Sequence, residues 1–213
     1  CPDDPTNPTW VCQTTVIYEA SDPLEWWDVR QYLADVTSGN HSLWHMVKLL
    51  SRSAYAKLLN IGVGYGILLK FYNSWQKLRG GAPFPTIEGR IRKGQPTPNE
   101  ILDLAPGEWV EVKSSEEIAA TITLAGFNRG MRYDPEMLKY SGNRYRVQQR
   151  VDQLIDEKSG KMVRMKSPCI QLEDVFCRAE FTPDRLGCPR ASNTYWREIW
   201  LKRVAESQPE RLE

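Results

Sequence analysis

Two kinds of hydrophobic periodicity divide the chain into a helical first part and a strand-rich second part. At residues 43–59, apolar residues recur three and four positions apart, which predicts an amphipathic helix with basic residues on its outer face. At 145–155, apolar and polar residues alternate, which predicts a half-buried strand. Turn residues at 156–160 and apolar residues at 162–165 predict the second strand of a hairpin.

Turn-forming residues separate these two parts. Glycine and proline crowd residues 80–106, so we expect an extended connection there, with a short strand at 87–91. After it, the pattern predicts a strand at 109–112. Ser114 and Glu117 have the spacing of a capping box, which predicts a short helix at 118–124. Further apolar residues from Ile170 to Cys177 predict additional strands.

The end of the second part, at residues 195–204, is ambiguous. Trp196 and Trp200 are four positions apart, as on one helix face, yet they also alternate with polar residues as in a strand. Pro189 suits a first helical turn, so the pattern slightly favours a helix. The elements together predict an α+β fold: a mainly helical segment at 1–79, the connection at 80–106 and a small β-barrel at 107–213.

Charge is distributed unevenly along a chain whose net charge is only +1. The first 35 residues contain seven acidic residues and one basic residue, whereas residues 36–87 contain six basic residues and no acid. Lys48, Arg52 and Lys57 of the predicted helix belong to this basic segment. They are therefore candidates for contact with a protein partner or with an anionic membrane surface.

Composition excludes several protein classes. With 41% hydrophobic and 26% charged residues, the chain can form a folded core, which argues against wholesale disorder and against a multispan membrane protein. The apolar run at 58–69 is too short to span a bilayer. The first residues show no signal-peptide pattern, so we expect a cytoplasmic protein that contacts membranes at most peripherally.

The cysteines leave three interpretations open. Cys169, Cys177 and Cys188 could converge on a zinc ion, although their spacing is not C-x2-C and structural zinc normally takes a fourth ligand. Disulfide bonds are the second interpretation, with Cys1 and Cys12 as a local pair. Free buried thiols are the third.

Two motifs in the helical part carry little chemistry. Gly62, Gly64 and Gly66 match neither a dinucleotide fingerprint nor a Walker loop, so close packing or a helix break is favoured. His41 and His45 would share a helix face, but the Glu of H-E-x-x-H is missing. Two separate polar histidines are favoured over a metal pair.

Candidate acid, base and anion-binding groups lie in the second part. Asp134, Glu136 and Glu198 supply carboxylates, and Arg197 supplies a cation, for chemistry on a sugar or another small polar metabolite. Asp134 and Glu136 flank Pro135, which favours a turn or a helix start over catalysis.

Three tryptophans of the second part are candidate stacking platforms for a ligand, namely Trp109, Trp196 and Trp200. Large aromatic residues are also the natural filling of a small barrel, so a place in the core is favoured for Trp196 and Trp200.

Four motifs give the second part a resemblance to a known family. They are GEWVEVKSSEEIAATI, MLKYSGNRYRV, CIQLEDVFC and GCPRASNTYWREIWLKRV. Together they resemble short, largely uncharacterised bacterial proteins associated with polysaccharide and natural-product biosynthetic clusters. The resemblance implies an SH3-like barrel and a metal site with cysteines at 141, 177 and 188. This chain has Ser141, a poor zinc ligand, so Cys169 would have to replace it.

Three functional classes follow from these observations. The first is an accessory or adaptor protein of a bacterial biosynthetic pathway, which binds a partner or a membrane surface and for which zinc is a candidate cofactor. The alternative is an enzyme of the same pathway acting on a sugar or a small polar metabolite. The third is a nucleic-acid-binding barrel, which the acidic first 35 residues and an isoelectric point of about 7.8 disfavour.

Overall fold

Three helices form the first part of the protein in the computed structural model, which describes residues 8–10, 28–60, 65–79, 87–156, 159–181, 187 and 191–204. They are α1 (Arg30–Thr37), α2 (Leu43–Asn60) and α3 (Tyr65–Leu78). The helix predicted at 43–59 is confirmed as α2. The hydroxyl of Tyr55 donates a hydrogen bond to the carbonyl oxygen of Leu68 at 2.6 Å, which ties α2 to α3.

The second part contains mainly short strands, which confirms the predicted α+β class. The elements are β1 (Trp109–Val112), α4 (Ser115–Ala119), β2 (Phe127–Asn128), β3 (Met131–Arg132), a first 3-10 helix (Pro135–Tyr140), β4 (Arg144–Ile155), β5 (Met162–Phe176), β6 (Asn193–Trp196), a second 3-10 helix (Glu198–Trp200) and β7 (Leu201–Arg203).

Five of these strands form one antiparallel sheet, in the order β6-β5-β4-β1-β7. The strands β6 and β7 are its two edges, so the sheet is not closed among the described strands. The short strands β2 and β3 pair separately. No helix of the described segments is long and apolar enough to cross a membrane.

The long hairpin of β4 and β5 confirms the predicted strand pair. Ile155 lies opposite Met162 next to the turn, and Val147 lies opposite Leu172 farther along. The strand β5 continues to Phe176 as one element, so the expectation of a separate strand that includes Cys177 is wrong. Cys177 lies just beyond the end of β5.

The segment at 195–204 forms a strand, a 3-10 turn and a second strand, so the slight preference for a helix was wrong. This path buries Trp196 and Trp200 completely, and the ring of Tyr133 packs edge-on against both. Because one tight turn between two strands brings both indoles into the same core, the four-residue spacing did not require a helix.

The main hydrophobic core belongs to the second part. Its buried members are Ile87, Leu104, Val110, Val112, Ile118, Ile122, Tyr133, Met137, Val147, Ile170, Leu172, Val175, Trp196, Ile199, Trp200 and Leu201. None of them lies in α1, α2 or α3. None of the described side chains of these three helices therefore contributes to the core of the sheet.

The described end of the connection, from residue 87 onward, packs on the sheet. In place of the short strand expected at 87–91, one isolated bridge joins Ile91 to Thr123. A Cβ atom added to Gly89 would lie 2.1 Å from the carbonyl oxygen of Ile122, so only glycine allows this approach. The side-chain amide of Asn128 donates to the carbonyl oxygens of Pro98 and Thr121.

The predicted capping box is confirmed at the start of α4. The amide N–H of Glu117 donates to the hydroxyl of Ser114, and the amide N–H of Ser114 donates to the carboxylate of Glu117 at 2.9 Å. Hydrogen bonds from Ser114, together with contact with Lys202, lower the pKa of Glu117 to about 2. The helix ends at Ala119, shorter than expected.

Replacing Glu117 with Gln should lower the free energy of unfolding by less than about 1 kcal/mol at neutral pH. Because the folded-state pKa is depressed, this stabilisation is present above about pH 4.5 and is lost as the pH falls towards about 2. Urea unfolding at several pH values should show the two proteins converging in acid. The matched control is Glu116→Gln, and an equal pH-dependent loss there would contradict the assignment to the capping box.

Candidate functional site

The cysteines proposed as zinc ligands are not brought together where the structure describes them. Cys169 is buried within β5. Cys177 is eight residues farther along the chain and directly follows the last residue of that strand. The extended backbone between them separates the thiols by far more than the roughly 4 Å allowed for two ligands of one zinc ion. Cys188 lies outside the described residues, and the described ones contain no group of three His, Cys, Asp or Glu arranged for a metal.

Both described thiols are free, and burial raises the pKa of each to about 11. A hydrogen bond to Glu136 further raises the pKa of Cys177. The neutral thiol is therefore the stable form near neutral pH when no metal is bound. Zinc bound by a set that includes Cys188 stays a prediction, as does a disulfide involving Cys1, Cys12 or Cys188, which lie outside the described residues.

Glu198, a candidate catalytic carboxylate, ties the connection to the sheet. It is only 4% exposed, and its carboxylate accepts hydrogen bonds from the amide N–H groups of Leu102 and Leu104. The guanidinium of Arg150 pairs with the same carboxylate. Both carboxylate oxygens of Glu198 are therefore occupied by contacts that hold the fold together.

Arg197, the candidate anion-binding group, is also buried. Its guanidinium donates hydrogen bonds to the carbonyl oxygens of Ser167 and Arg129. One Nη atom lies 3.5 Å from the sulfur of Cys169. The side chain therefore joins β5 to the turn between β2 and β3, and it is not presented to solvent.

Asp134 and Glu136 hold local structure around the first 3-10 helix. The carboxylate of Asp134 accepts the amide N–H of Glu136 at 3.0 Å, as the favoured interpretation of a helix start predicts. Glu136 is 5% exposed, and its Oε2 accepts the amide N–H groups of Arg178 and Glu180, each at 3.3 Å. Glu136 thus fixes the loop that follows β5.

The three candidate stacking residues occupy two different environments. Trp196 and Trp200 have no exposed surface, so neither presents a ring to a ligand in this structure. Trp109 is 39% exposed and lines a shallow cleft of about 440 Å³ with Arg146 and Arg203. Only Trp109 of the three offers an accessible ring.

The outer surface of α2 is largely apolar, so the basic outer face expected for this helix is found only in part. Four of its residues on one side are between 44% and 67% exposed, namely Leu43, Val47, Leu50 and Leu58. Met46 and Leu49 are buried, and the side chain of Arg52 is only 17% exposed. Arg52 thus turns inward, Lys48 stays exposed, and the side chain of Lys57 lies outside the described ones.

The helix α3 has a similar apolar surface. Ile67, Phe71, Trp75 and Leu78 recur four, four and three positions apart, and they are 78%, 69%, 47% and 84% exposed. We call these residues the α3 stripe, and Leu43, Val47, Leu50 and Leu58 the α2 stripe. Soluble monomers rarely expose contiguous apolar surface of this kind, so it indicates a contact with another molecule.

His41 and His45 attach α2 to the second part. Their rings stack with centroids 5.0 Å apart, and Nε2 of His41 lies 2.7 Å from the carbonyl oxygen of Gly187. Burial and then the neighbouring His41 lower the pKa of His45. Gly187 adopts a φ of +61°, which strains any other residue, and an added Cβ would lie 2.8 Å from the end of the Leu49 side chain.

A second cleft, of about 660 Å³, lies between α2, α3, the first 3-10 helix and the loop after β5. Among the described residues, six charged ones line it: Lys48, Arg52, Arg79, Lys139, Glu136 and Glu180. Four aromatic residues line it as well: Tyr55, Tyr72, Trp75 and Phe181. We call it the basic cleft, because its cations outnumber its acids.

Cation–π contacts organise the basic cleft. The guanidinium of Arg52 lies 4.4 Å from the centroid of the Phe181 ring and pairs with Glu180 at 3.2 Å. The guanidinium of Arg79 lies 4.2 Å from the Trp75 ring. Such contacts hold cations in place while leaving their outer N–H groups available.

Sequence reasoning identified Lys48, Arg52 and Glu136 of the basic cleft but missed the rest. Trp75 and Arg79 are one helical turn apart, a spacing that places a cation over an aromatic ring on one helix face and could have been recognised. Glu180 and Phe181 carried no local signal, because a distant loop brings them to α2.

Neither a scan of the sequence against protein-family models nor a search of curated proteins finds a match. The resemblance stated above therefore stays a prediction.

Replacing Glu198 with Gln should lower the free energy of unfolding by about 2 kcal/mol, because the buried carboxylate beside Arg150 becomes a neutral amide. Arg150 keeps its two other carboxylate partners, which are more exposed. Chemical denaturation measures this loss. The matched control is Glu108→Gln, which removes the carboxylate that pairs with Arg203. This pair is more exposed than the pair of Glu198 and Arg150, so the free energy of unfolding should fall by less than about 1 kcal/mol. Equal stability of the Glu198→Gln protein and the unmodified protein would contradict a structural role for this carboxylate.

Proposed function

We propose that this protein is a non-catalytic accessory protein that binds an anionic membrane surface through α2 and α3. The observation that carries the proposal is the exposure of the α2 and α3 stripes on helices that also carry cations. In the setting suggested by the resemblance, the protein would serve a bacterial biosynthetic pathway whose components assemble at the membrane.

Apolar burial supplies the main binding energy in this proposal. Phe71 and Ile67 are among the most exposed members of the α3 stripe. Full burial of one such side chain contributes about 1.5–3 kcal/mol. A helix with Trp, Phe and Leu on one side and Lys on the other lies in the interfacial plane of a bilayer without crossing it.

Electrostatics supports a membrane over an acidic protein patch as the occupant. Residues 36–87 contain no acid, and the exposed cations Lys48, Lys70, Lys77 and Arg79 lie on or just after α2 and α3. Helices that carry no acid of their own suit a uniformly negative plane. Each Lys or Arg near that plane adds about 1 kcal/mol to the binding. Anionic lipid should therefore be preferred to neutral lipid.

A non-catalytic role is supported by the contacts of the candidate catalytic residues. Glu198, Glu136 and Arg197 are buried, and each binds backbone groups that hold the fold together. The burial of Trp196 and Trp200 also removes two candidate stacking platforms from the hypothesis of an enzyme that acts on a sugar.

We further propose that the sheet is an SH3-like barrel with an open seam. Its strand order, β6-β5-β4-β1-β7, and the 3-10 helix between β6 and β7 support this arrangement. The second part would then be the rigid body that the membrane-bound helices hold near the bilayer, and it would present its surface to a partner of the pathway.

Substituting Ile67→Gln and Phe71→Gln together should reduce binding to anionic vesicles by more than tenfold, because two buried apolar side chains are lost. Vesicle flotation measures the bound fraction. The matched control is Met162→Gln with Val163→Gln, which removes two apolar residues of β5 that are 44% and 50% exposed. Equal binding by the unmodified protein and the α3 variant would overturn the proposal. It would also be overturned if the unmodified protein did not bind vesicles but formed a dimer that the α3 substitutions abolish.

Substituting Lys70→Gln and Lys77→Gln should weaken binding to anionic vesicles by about tenfold or more, while binding to neutral vesicles stays the same. Raising the salt concentration should reproduce the effect in the unmodified protein. A loss of the same size on neutral vesicles would show that these substitutions disturb α3 and not the electrostatic attraction.

A further inference from the structure

We propose that the basic cleft binds a phosphate monoester carried on a sugar ring or an apolar group. The inference goes beyond membrane docking, because the cleft also needs residues of the second part. Lys139 and Glu180, for example, belong to the second part and to neither apolar stripe. Lys48, Trp75 and Arg79 take part in both proposals.

The charges that line the cleft leave three cations without a carboxylate partner. Glu180 is paired with Arg52. Glu136 is buried, and its Oε2 accepts two backbone N–H groups. Among the described residues, Lys48, Arg79 and Lys139 form no ion pair.

These three cations come from separate elements of the fold. Lys48 lies on α2, Arg79 follows α3 and Lys139 lies on the first 3-10 helix. Like charges that converge on one cleft repel each other, and a cleft lined by one sign of charge concentrates ions of the opposite sign. A bound anion would relieve this repulsion.

The size of the excess charge favours phosphate over a single carboxylate. Four cations and two acids line the cleft among the described residues, an excess of two positive charges within that part of the chain. A phosphate monoester carries about −1.5 to −2 near neutral pH and offers three acceptor oxygens. The volume of about 660 Å³ lies within the range of small-ligand sites.

The aromatic rings that line the cleft indicate which chemical group carries the phosphate in the proposed ligand. Trp75 and Phe181 line the same cleft as the cations, and Trp75 is 47% exposed. Rings of this kind pack against the apolar face of a sugar or against an acyl chain. A soluble sugar phosphate and a phosphatidate headgroup share this chemistry, so both are candidate sources.

Calorimetric titration of the full chain tests the site with two probes and one blank. The probes are glucose 1-phosphate and monomeric dihexanoyl phosphatidic acid, and the blank is glucose. We expect at least one probe to bind and glucose not to bind. Binding of the sugar phosphate identifies a soluble source, and binding of the phosphatidate alone identifies a lipid headgroup.

Substituting Lys139→Gln should weaken binding of the active probe at least about fivefold, and Lys48→Gln should do the same. The matched control is Lys166→Gln, which removes an exposed cation from β5 away from the cleft. Absence of binding by both probes up to about 10 mM would overturn the proposal. Equal weakening by all three substitutions would also overturn the proposal, because the effect would then come from the net charge of the protein and not from the cleft.

The two proposals can fail separately. Lys139 lies outside both stripes, so Lys139→Gln should leave the flotation of neutral vesicles unchanged. Probe binding lost in the Lys139→Gln protein with flotation retained supports the cleft. Flotation lost in the Ile67→Gln/Phe71→Gln protein with probe binding retained supports two independent surfaces.

Discussion

The hydrophobic core closes around Trp196, Trp200 and Tyr133 without any described side chain of α1, α2 or α3, and this constraint governs the rest of the structure. Because the sheet does not need the helices to bury its apolar residues, the helices retain apolar residues of their own. Their stripes remain exposed to water, at a cost of about 25 cal/mol for each Å². The amphipathic helices are therefore suited to bury that surface against a membrane.

Polar contacts join the helices to the sheet part and produce the basic cleft. Arg52 pairs with Glu180, and His41 reaches the carbonyl oxygen of Gly187. Glu136 positions the loop that carries Glu180. Such a junction is held by few groups and leaves a solvent-accessible cleft in which cations outnumber acids. The residues that attach the helices are thus neighbours of the residues proposed to bind phosphate.

Local patterns predicted α2, the β4–β5 hairpin and the capping box, whereas burial depended on distant contacts. The alternation of apolar and polar residues predicted the hairpin of β4 and β5, and the spacing of Ser114 and Glu117 predicted the capping box. The segment around Trp200 misled the prediction, because a 3-10 turn and a helix both bring residues four apart to one core. The orientation of α2 was missed for a different reason: Glu180, far away in sequence, draws Arg52 inward.

Photolabelling with a phospholipid that carries a diazirine on its acyl chain tests the central claim most directly. The protein is bound to anionic vesicles, irradiated and digested, and the labelled peptides are identified by mass spectrometry. The account predicts adducts concentrated on Leu43–Asn60 and Tyr65–Leu78. Adducts confined to β4 and β5, or no adducts above those on neutral vesicles, would contradict it.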